Sequence, residues 1–180
     1  SWGSGTAAAN LSTSRMIDDV AAQAGGRVIR TPVGEAHVAN AMIQHGCVIG
    51  GEGNGGVIDL RVGPVRDSLV GMALVLQLMA ETGKGIGGLV QEIGGYHVHK
   101  DKFAADSQQA QRIMNQAAET FAGAAANTSD GLRLDFPDGW IHLRMSNTEP
   151  VMRVIVETRN ESAANRYIEV VSGIRKSVVG

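Results

Sequence analysis

The sequence predicts two consecutive units: an α/β unit with a mainly parallel sheet, then a smaller α+β unit with an antiparallel sheet and helices on one face. Three observations carry this. Helical periods alternate with short β-branched strands as far as Gly94-Gly95, as a parallel sheet with helical crossovers requires. Beyond that pair the order becomes strand, helix, hairpin, strand, helix, which suits a sheet covered on one side. Within the last strands, Ile141, Leu143 and Met145 alternate with His142 and Arg144, and Met152, Val154 and Val156 alternate with Arg153 and Glu157, so each strand has an aliphatic face and a polar one. The expected units are 6–93 and 96–180.

Taken in order, residues 1–5 show no periodicity and read as a processed end. Ala7-Ala8-Ala9-Asn10-Leu11 reads as a short strand. Ser12 or Ser14 then caps a helix carrying Met16, Ile17, Val20, Ala21 and Ala24 on one side, stopped by Gly25-Gly26. Arg27 to Arg30 is a strand, Thr31 to Gly34 a loop, Glu35 to His45 a helix closed by Gly46, and Cys47 to Gly50 another strand. Val57 to Leu60 continues as a strand. Ser68 to Glu81, with Asp67 as N-cap and Gly83 just past its end, is apolar almost all round and is expected to be a core helix. Ile86, Leu89, Val90 and Ile93 mark a shorter helix.

In the second unit Tyr96 to Lys100 alternates as a strand with His97 and His99 on one face. Asp106 or Ser107 opens a helix whose core stripe is Ile113, Met114, Ala117, Ala118 and Phe121. Leu132–Phe136 and Trp140–Met145 flank Pro137-Asp138-Gly139, a hairpin turn by its residue types. Ser162 is expected to cap a last helix with Tyr167, Ile168, Val171 and Ile174 inward.

Composition bounds the function. The chain has 180 residues, 43% of them hydrophobic, and a formal net charge of −2 with basic residues scattered, a profile that argues against a nucleic-acid-binding surface. No run reaches the ~18 apolar residues expected of a membrane helix. The single cysteine, Cys47, excludes an internal disulfide and reads as a buried thiol, so the expected compartment is the cytoplasm.

Two stretches carry chemistry. Arg144-Met145-Ser146-Asn147-Thr148-Glu149-Pro150-Val151-Met152-Arg153 gathers two guanidinium groups, two hydroxyls and an amide between two strands. Guanidinium forks match phosphate oxygens two at a time, and hydroxyls and turn N–H groups supply the remaining bonds. The opposing reading is a solvated hairpin with ordinary surface arginines. Gly50-Gly51-Glu52-Gly53-Asn54-Gly55-Gly56 has five glycines in seven residues and is expected as a loop beyond a strand's carboxyl end, where open parallel sheets hold ligands. There Glu52 can accept from two adjacent hydroxyls and Asn54 can both donate and accept, which suits a sugar diol. The opposing reading is a flexible turn with Glu52 solvated.

Arg-x-Ser-Asn-Thr-Glu-Pro-x-x-Arg at 144–153 resembles the phosphate-binding loop in the last domain of the α-D-phosphohexomutases. Gly51-Glu52-Gly53-Asn54-Gly55 resembles that family's sugar-binding loop, and Arg30-Thr31-Pro32-Val33-Gly34-Glu35 the run preceding it. The resemblance covers nearly all of this chain, but only the third and fourth domains of the family's length. It implies sugar contacts by Glu52, Gly53, Asn54 and Gly55, and phosphate contacts by Arg144, Ser146, Asn147, Thr148 and Arg153. Gly56 stands where many members have histidine, and Pro32 where the bacterial phosphomannomutase/phosphoglucomutase type has lysine, which favours the phosphoglucosamine-mutase-like branch.

The implied reaction interconverts hexose 1-phosphate and 6-phosphate through a phosphoserine, Mg²⁺ and a hexose 1,6-bisphosphate intermediate. The family's phosphate-carrying serine and Asp-x-Asp-x-Asp metal loop belong to earlier domains, and this sequence has no three aspartates at alternating positions. The expectation is therefore a substrate-binding part of a larger enzyme, inactive alone, partnered by missing N-terminal domains and a phosphorylated hexose, with no catalytic or metal-ligating residue of its own. The alternative is a stand-alone phosphate-ester-binding module.

Overall fold

The computed structural model describes residues 4–146 and 148–180. The chain divides into two compact units, the first ending at Gly95 and the second running from Tyr96 to Gly180.

The first unit contains β1 (Thr6–Asn10), α1 (Met16–Gln23), β2 (Arg27–Thr31), α2 (Glu35–His45), β3 (Ile49–Glu52), β4 (Gly56–Ile58), α3 (Ser68–Thr82) and α4 (Ile86–Ile93). Its sheet has the order β2-β1-β3-β4, with β1 parallel to both β2 and β3 and β4 antiparallel to β3. β1 lies inside the sheet, and its Ala7-Ala8-Ala9 run is buried, small side chains leaving room for α2 to lie close. Ala8, Val38, Ala39, Ala41, Met42, Cys47 and Ile58 form the core. Burial raises the Cys47 thiol pKa above its ordinary value, as expected of an inert core thiol. Helix boundaries follow local chemistry: Gly46 ends α2 at φ 62°, and the Asp67 carboxylate caps α3 by accepting from the N–H groups of Leu69 and Val70. At the start of α1 it is Ser14 whose hydroxyl accepts, from the Met16 N–H at 3.1 Å.

Two expectations for this unit are corrected. The glycine-rich stretch is a loop past the carboxyl end of a strand only at Gly53-Asn54-Gly55: Gly50, Gly51 and Glu52 belong to β3, Gly56 opens β4, and Glu52 pairs with Gly56 across a tight turn. The glycines serve close approach rather than flexibility. A Cβ on Gly50 would lie 2.3 Å from Met42 Sδ, and one on Gly51 would lie 2.4 Å from the Gly56 carbonyl oxygen. Nor is α3 a core helix. None of its side chains is buried, and Leu69 (73% exposed), Leu76 (63%) and Met72 (54%) face outward. Its main packing partner in the unit is β4, an edge strand too short to cover 15 helical residues. Among the described residues no single helix is long and apolar enough to cross a membrane, and α3 and α4, apolar together, meet at 90°.

The second unit contains β5 (His97–Ala104), α5 (Ser107–Thr120), β6 (Ala125–Asn127), β7 (Leu132–Phe136), β8 (Gly139–Met145), β9 (Val151–Thr158) and α6 (Glu161–Val179). The sheet is antiparallel throughout, in the order β5-β9-β8-β7-β6. The alternation read from sequence sets its faces: Ile141, Leu143, Met152, Val154 and Val156 join Ile113 and Ala117 of α5 and Val171 and Ile174 of α6 in one core. An Asp106–Gln109 capping box starts α5. α6 begins two residues earlier than expected, capped by Asn160, whose carboxamide oxygen accepts from the Ala163 N–H and the Ser162 hydroxyl. Tyr167 stacks on Phe136 and donates to Asp138 at 2.8 Å; burial, with that bond, pushes its phenol up to about 12.

Candidate functional site

Glu52 is buried and held from three directions, so it is not the solvated end of a flexible turn. Its Oε1 accepts from Asn10 Nδ2 at 2.7 Å and from the Gly34 N–H at 3.1 Å, and Arg66 Nη1 stands 3.3 Å from Oε2. Each partner is itself fixed. Asn10, the last residue of β1, accepts through Oδ1 from the Ser12 N–H and the Thr13 hydroxyl, both at 2.9 Å, so its NH₂ group is the end left to face Glu52. Gly34 has φ 135°, a conformation open to glycine, and this aims its N–H at the carboxylate just before α2 begins.

Arg66 precedes the α3 cap and donates from Nε to Glu35 Oε2 at 2.6 Å. That bond holds the Glu35 carboxyl below its ordinary pKa and raises the guanidinium above its own. The arginine stem occupies the space over Gly56, where a Cβ would lie 2.1 Å from Arg66 Cδ. Gly53 lies against the Ser12–Thr13 backbone, and Asn54 and Gly55 form the exposed tip. Arg30, in the run before α2, donates to the carbonyls of Asn10, Thr13 and Ser14 and pairs with Asp18, which ties down the segment that carries Asn10.

In the second unit Arg144 of β8 and Arg153 of β9 are direct cross-strand partners on the face away from the helices. Arg144 is buried, and its Nε donates to the Asp130 carboxylate at 3.1 and 3.3 Å. Asp130 also accepts through its carbonyl from His142 Nε2 at 2.7 Å, so one loop residue positions two neighbours on β8. Arg153 is half exposed, with Nη2 3.8 Å from Glu149 Oε2. The intervening loop is drawn together at its base, where the Ser146 N–H donates to the Val151 carbonyl at 2.9 Å. Ser146 Oγ and Thr148 Oγ1 lie 3.4 Å apart. Asn147 lies outside the described residues. Two guanidinium groups and two hydroxyls thus gather beside one short loop, a donor set suited to an anion.

Asn10, Gly34, Arg66 and Asp130 were not read as site residues from sequence. Each reaches its partner over a long span, 42 residues for Asn10 and 14 for Arg144–Asp130, and only Gly34 falls within a stretch singled out from sequence. His97 and His99 lie exposed on the edge strand β5.

Residues 1–96 match the family pattern described as phosphoglucomutase/phosphomannomutase, alpha/beta/alpha domain III, and residues 104–173 match the C-terminal domain of the same family. The chain belongs to the phosphoglucomutase/phosphomannomutase family. Among curated relatives it is 35% identical to a phosphoglucomutase/phosphomannomutase of Thermococcus kodakarensis over 93% of this chain and 37% of the relative. It is also 35% identical to a probable phosphoglucosamine mutase of Methanopyrus kandleri, over 90% of this chain and 36% of the relative. The chain thus spans well under half the length of these relatives. Among solved structures, a phosphoglucomutase/phosphomannomutase family protein of Burkholderia thailandensis shares the fold at TM-score 0.83 and 22% identity, covering 98% of this chain and 38% of that one. An N-acetylphosphoglucosamine mutase of Aspergillus fumigatus, solved with GlcNAc-6P and magnesium, does so at TM-score 0.67 and 15% identity, covering 96% and 39%.

Proposed function

We propose that this chain is the substrate-holding part of a cytoplasmic phosphohexomutase that interconverts hexose 1-phosphate and 6-phosphate, with glucosamine phosphate the favoured substrate. The observation that carries the reading is the paired set Arg144 and Arg153 beside the Ser146–Thr148 loop, together with a buried, oriented carboxylate at Glu52. Arg144, Ser146, Asn147, Thr148 and Arg153 hold the phosphate ester. Glu52, Gly53, Asn54 and Gly55 take the sugar hydroxyls, with Asn10 and Gly34 fixing Oε1 so that the carboxylate need not reorganise on binding. Relatives named as phosphoglucosamine mutases, and the glycine at position 56, support the aminosugar preference.

Mg²⁺ and a phosphoserine belong to the proposed reaction but not to this part of the protein. Among the described residues no group of three or more His, Cys, Asp or Glu side chains is arranged to hold a metal ion. The missing N-terminal domains are the proposed source of the phosphorylated serine and the metal loop. What this chain supplies is binding and orientation of a phosphorylated hexose, which enters as 1-phosphate, 6-phosphate or bisphosphate.

The test has two arms. The 180-residue chain, given Mg²⁺ and hexose 1,6-bisphosphate, is expected to show no mutase turnover and to bind hexose phosphates weakly; turnover by the chain alone would overturn the division of labour. In a full-length protein carrying this chain, a panel of 1-phosphohexoses is expected to show fastest turnover with glucosamine 1-phosphate. Glu52→Ala and Arg144→Ala should each reduce kcat/KM by at least about tenfold, the equivalent of one charge-assisted bond.

A further inference from the structure

The register of the second sheet places a third cation beside the two arginines. Arg153 of β9 pairs with Arg144 of β8 on one side and with Lys102 of β5 on the other. Directly opposed residues share a face, so Lys102, Arg153 and Arg144 form one row across three strands, on the face away from the helices. Lys100, Asp101 and Lys102, with Arg153, Val154 and Ile155, line an open cavity of ≈ 320 Å³ on that sheet. The carboxylate of Glu149, in the phosphate-loop segment, lies near two adjacent cations of the row: its Oε2 is 3.9 Å from Lys102 Nζ and 3.8 Å from Arg153 Nη2.

We propose that Lys102 is a third cationic member of the phosphate site, and that Glu149 is the resident counter-charge which an incoming phosphate monoester displaces. This rests on the phosphate-binding reading of the 144–153 loop and deepens it.

Charge matching favours the assignment. Arg144 is already met by Asp130, so its guanidinium brings donors to the ligand but little unbalanced charge. Lys102 and Arg153 share one carboxylate. A phosphate monoester carries about −1.5 to −2 at pH 7, so removing Glu149 exposes two positive charges to a near-dianion. With Lys102 neutral, the same exchange would leave the ligand facing Arg153 alone. The two contacts of Glu149 are too long for hydrogen bonds and join half-exposed groups, so the carboxylate is held weakly. Phosphate oxygens, three acceptors on one atom, can bridge lysine and arginine at bonding distance. The loop side of the row is continuous with the site, because the Ala105 N–H, just past β5, donates to the Pro150 carbonyl at 3.3 Å.

Titration calorimetry of the 180-residue chain with glucose 6-phosphate, and separately with inorganic phosphate, tests this at low and high salt. Lys102 is 63% exposed at its side chain, so its replacement leaves the fold intact. Lys102→Gln is expected to weaken both probes about fivefold at low salt and less at high salt, Lys102→Arg to restore binding, and Glu149→Gln to tighten it by a similar factor. If Arg153→Gln weakens binding while Lys102→Gln does not, the third-cation assignment fails and the phosphate reading stands. If Glu149→Gln weakens binding, the carboxylate is not a displaced counter-charge. If the unaltered chain binds neither probe, or binds no better than Arg144→Ala and Arg153→Gln variants, the phosphate reading falls and this inference falls with it.

Discussion

Glu52 shows how a single carboxylate becomes useful only through residues distant in sequence. Asn10 and the Gly34 N–H fix one oxygen while Arg66 approaches the other, and the whole set is assembled from the ends of β1, β3 and the turns before α2 and α3. Asn10→Ala should remove one donor from a buried carboxylate. It is expected to destabilise the first unit by about 1–3 kcal/mol in urea denaturation, and to weaken hexose phosphate binding more than inorganic phosphate binding. In the second unit His142 is fully buried, directly opposite Arg133 of β7 and two residues before Arg144 on β8. Burial, which penalises the imidazolium, holds its pKa below the ordinary value, outweighing the Asp130 carbonyl that raises it. The unfolded chain therefore binds a proton that the folded chain refuses, so stability is full above about pH 6.5 and falls as the pH drops below it. Thermal midpoints measured from neutral pH downward should decline for the unaltered protein and decline less for His142→Asn.

Elements were legible in the sequence where a local rule decides them. Alternation in β8 and β9 fixed which residues face α5 and α6, and Gly46, Asp67 and Gly83 marked helix ends because capping is a contact between near neighbours. Asp67→Ala is expected to cost about 1 kcal/mol, readable as a loss of helical signal at lower denaturant. The hairpin at Glu52–Gly56 was missed because glycine density reads as looseness, whereas here it records backbone and side chains pressed against the strand. The placement of α3 was missed for a different reason. An all-round apolar helix implies cover on every side, and sequence does not say which part of a protein provides it. In the candidate site, Arg144 and Arg153 were recognisable from the loop they flank. Lys102 was not, because only the pairing of β5 with β9 brings it alongside.

At the scale of the whole molecule, two compact units carry one candidate ligand-holding loop each, and the chain spans 36–37% of the Thermococcus kodakarensis and Methanopyrus kandleri relatives. The outward side chains of α3, Leu69, Met72 and Leu76, form apolar surface of a kind that soluble proteins seldom leave uncovered. The isolated chain should associate as its concentration rises, seen by sedimentation velocity. A Leu69→Lys, Leu76→Lys double variant should remain dispersed, with stability changed by less than about 0.5 kcal/mol per site. The contact between the Arg66 stem and Gly56 reaches beyond this one chain. Only one of the two positions can fill that space, so they are expected to diversify as a linked pair through evolution: a lineage with an imidazole at position 56 should have shed its bulk at position 66, and a histidine grafted at position 56 here should be tolerated only alongside that compensating loss.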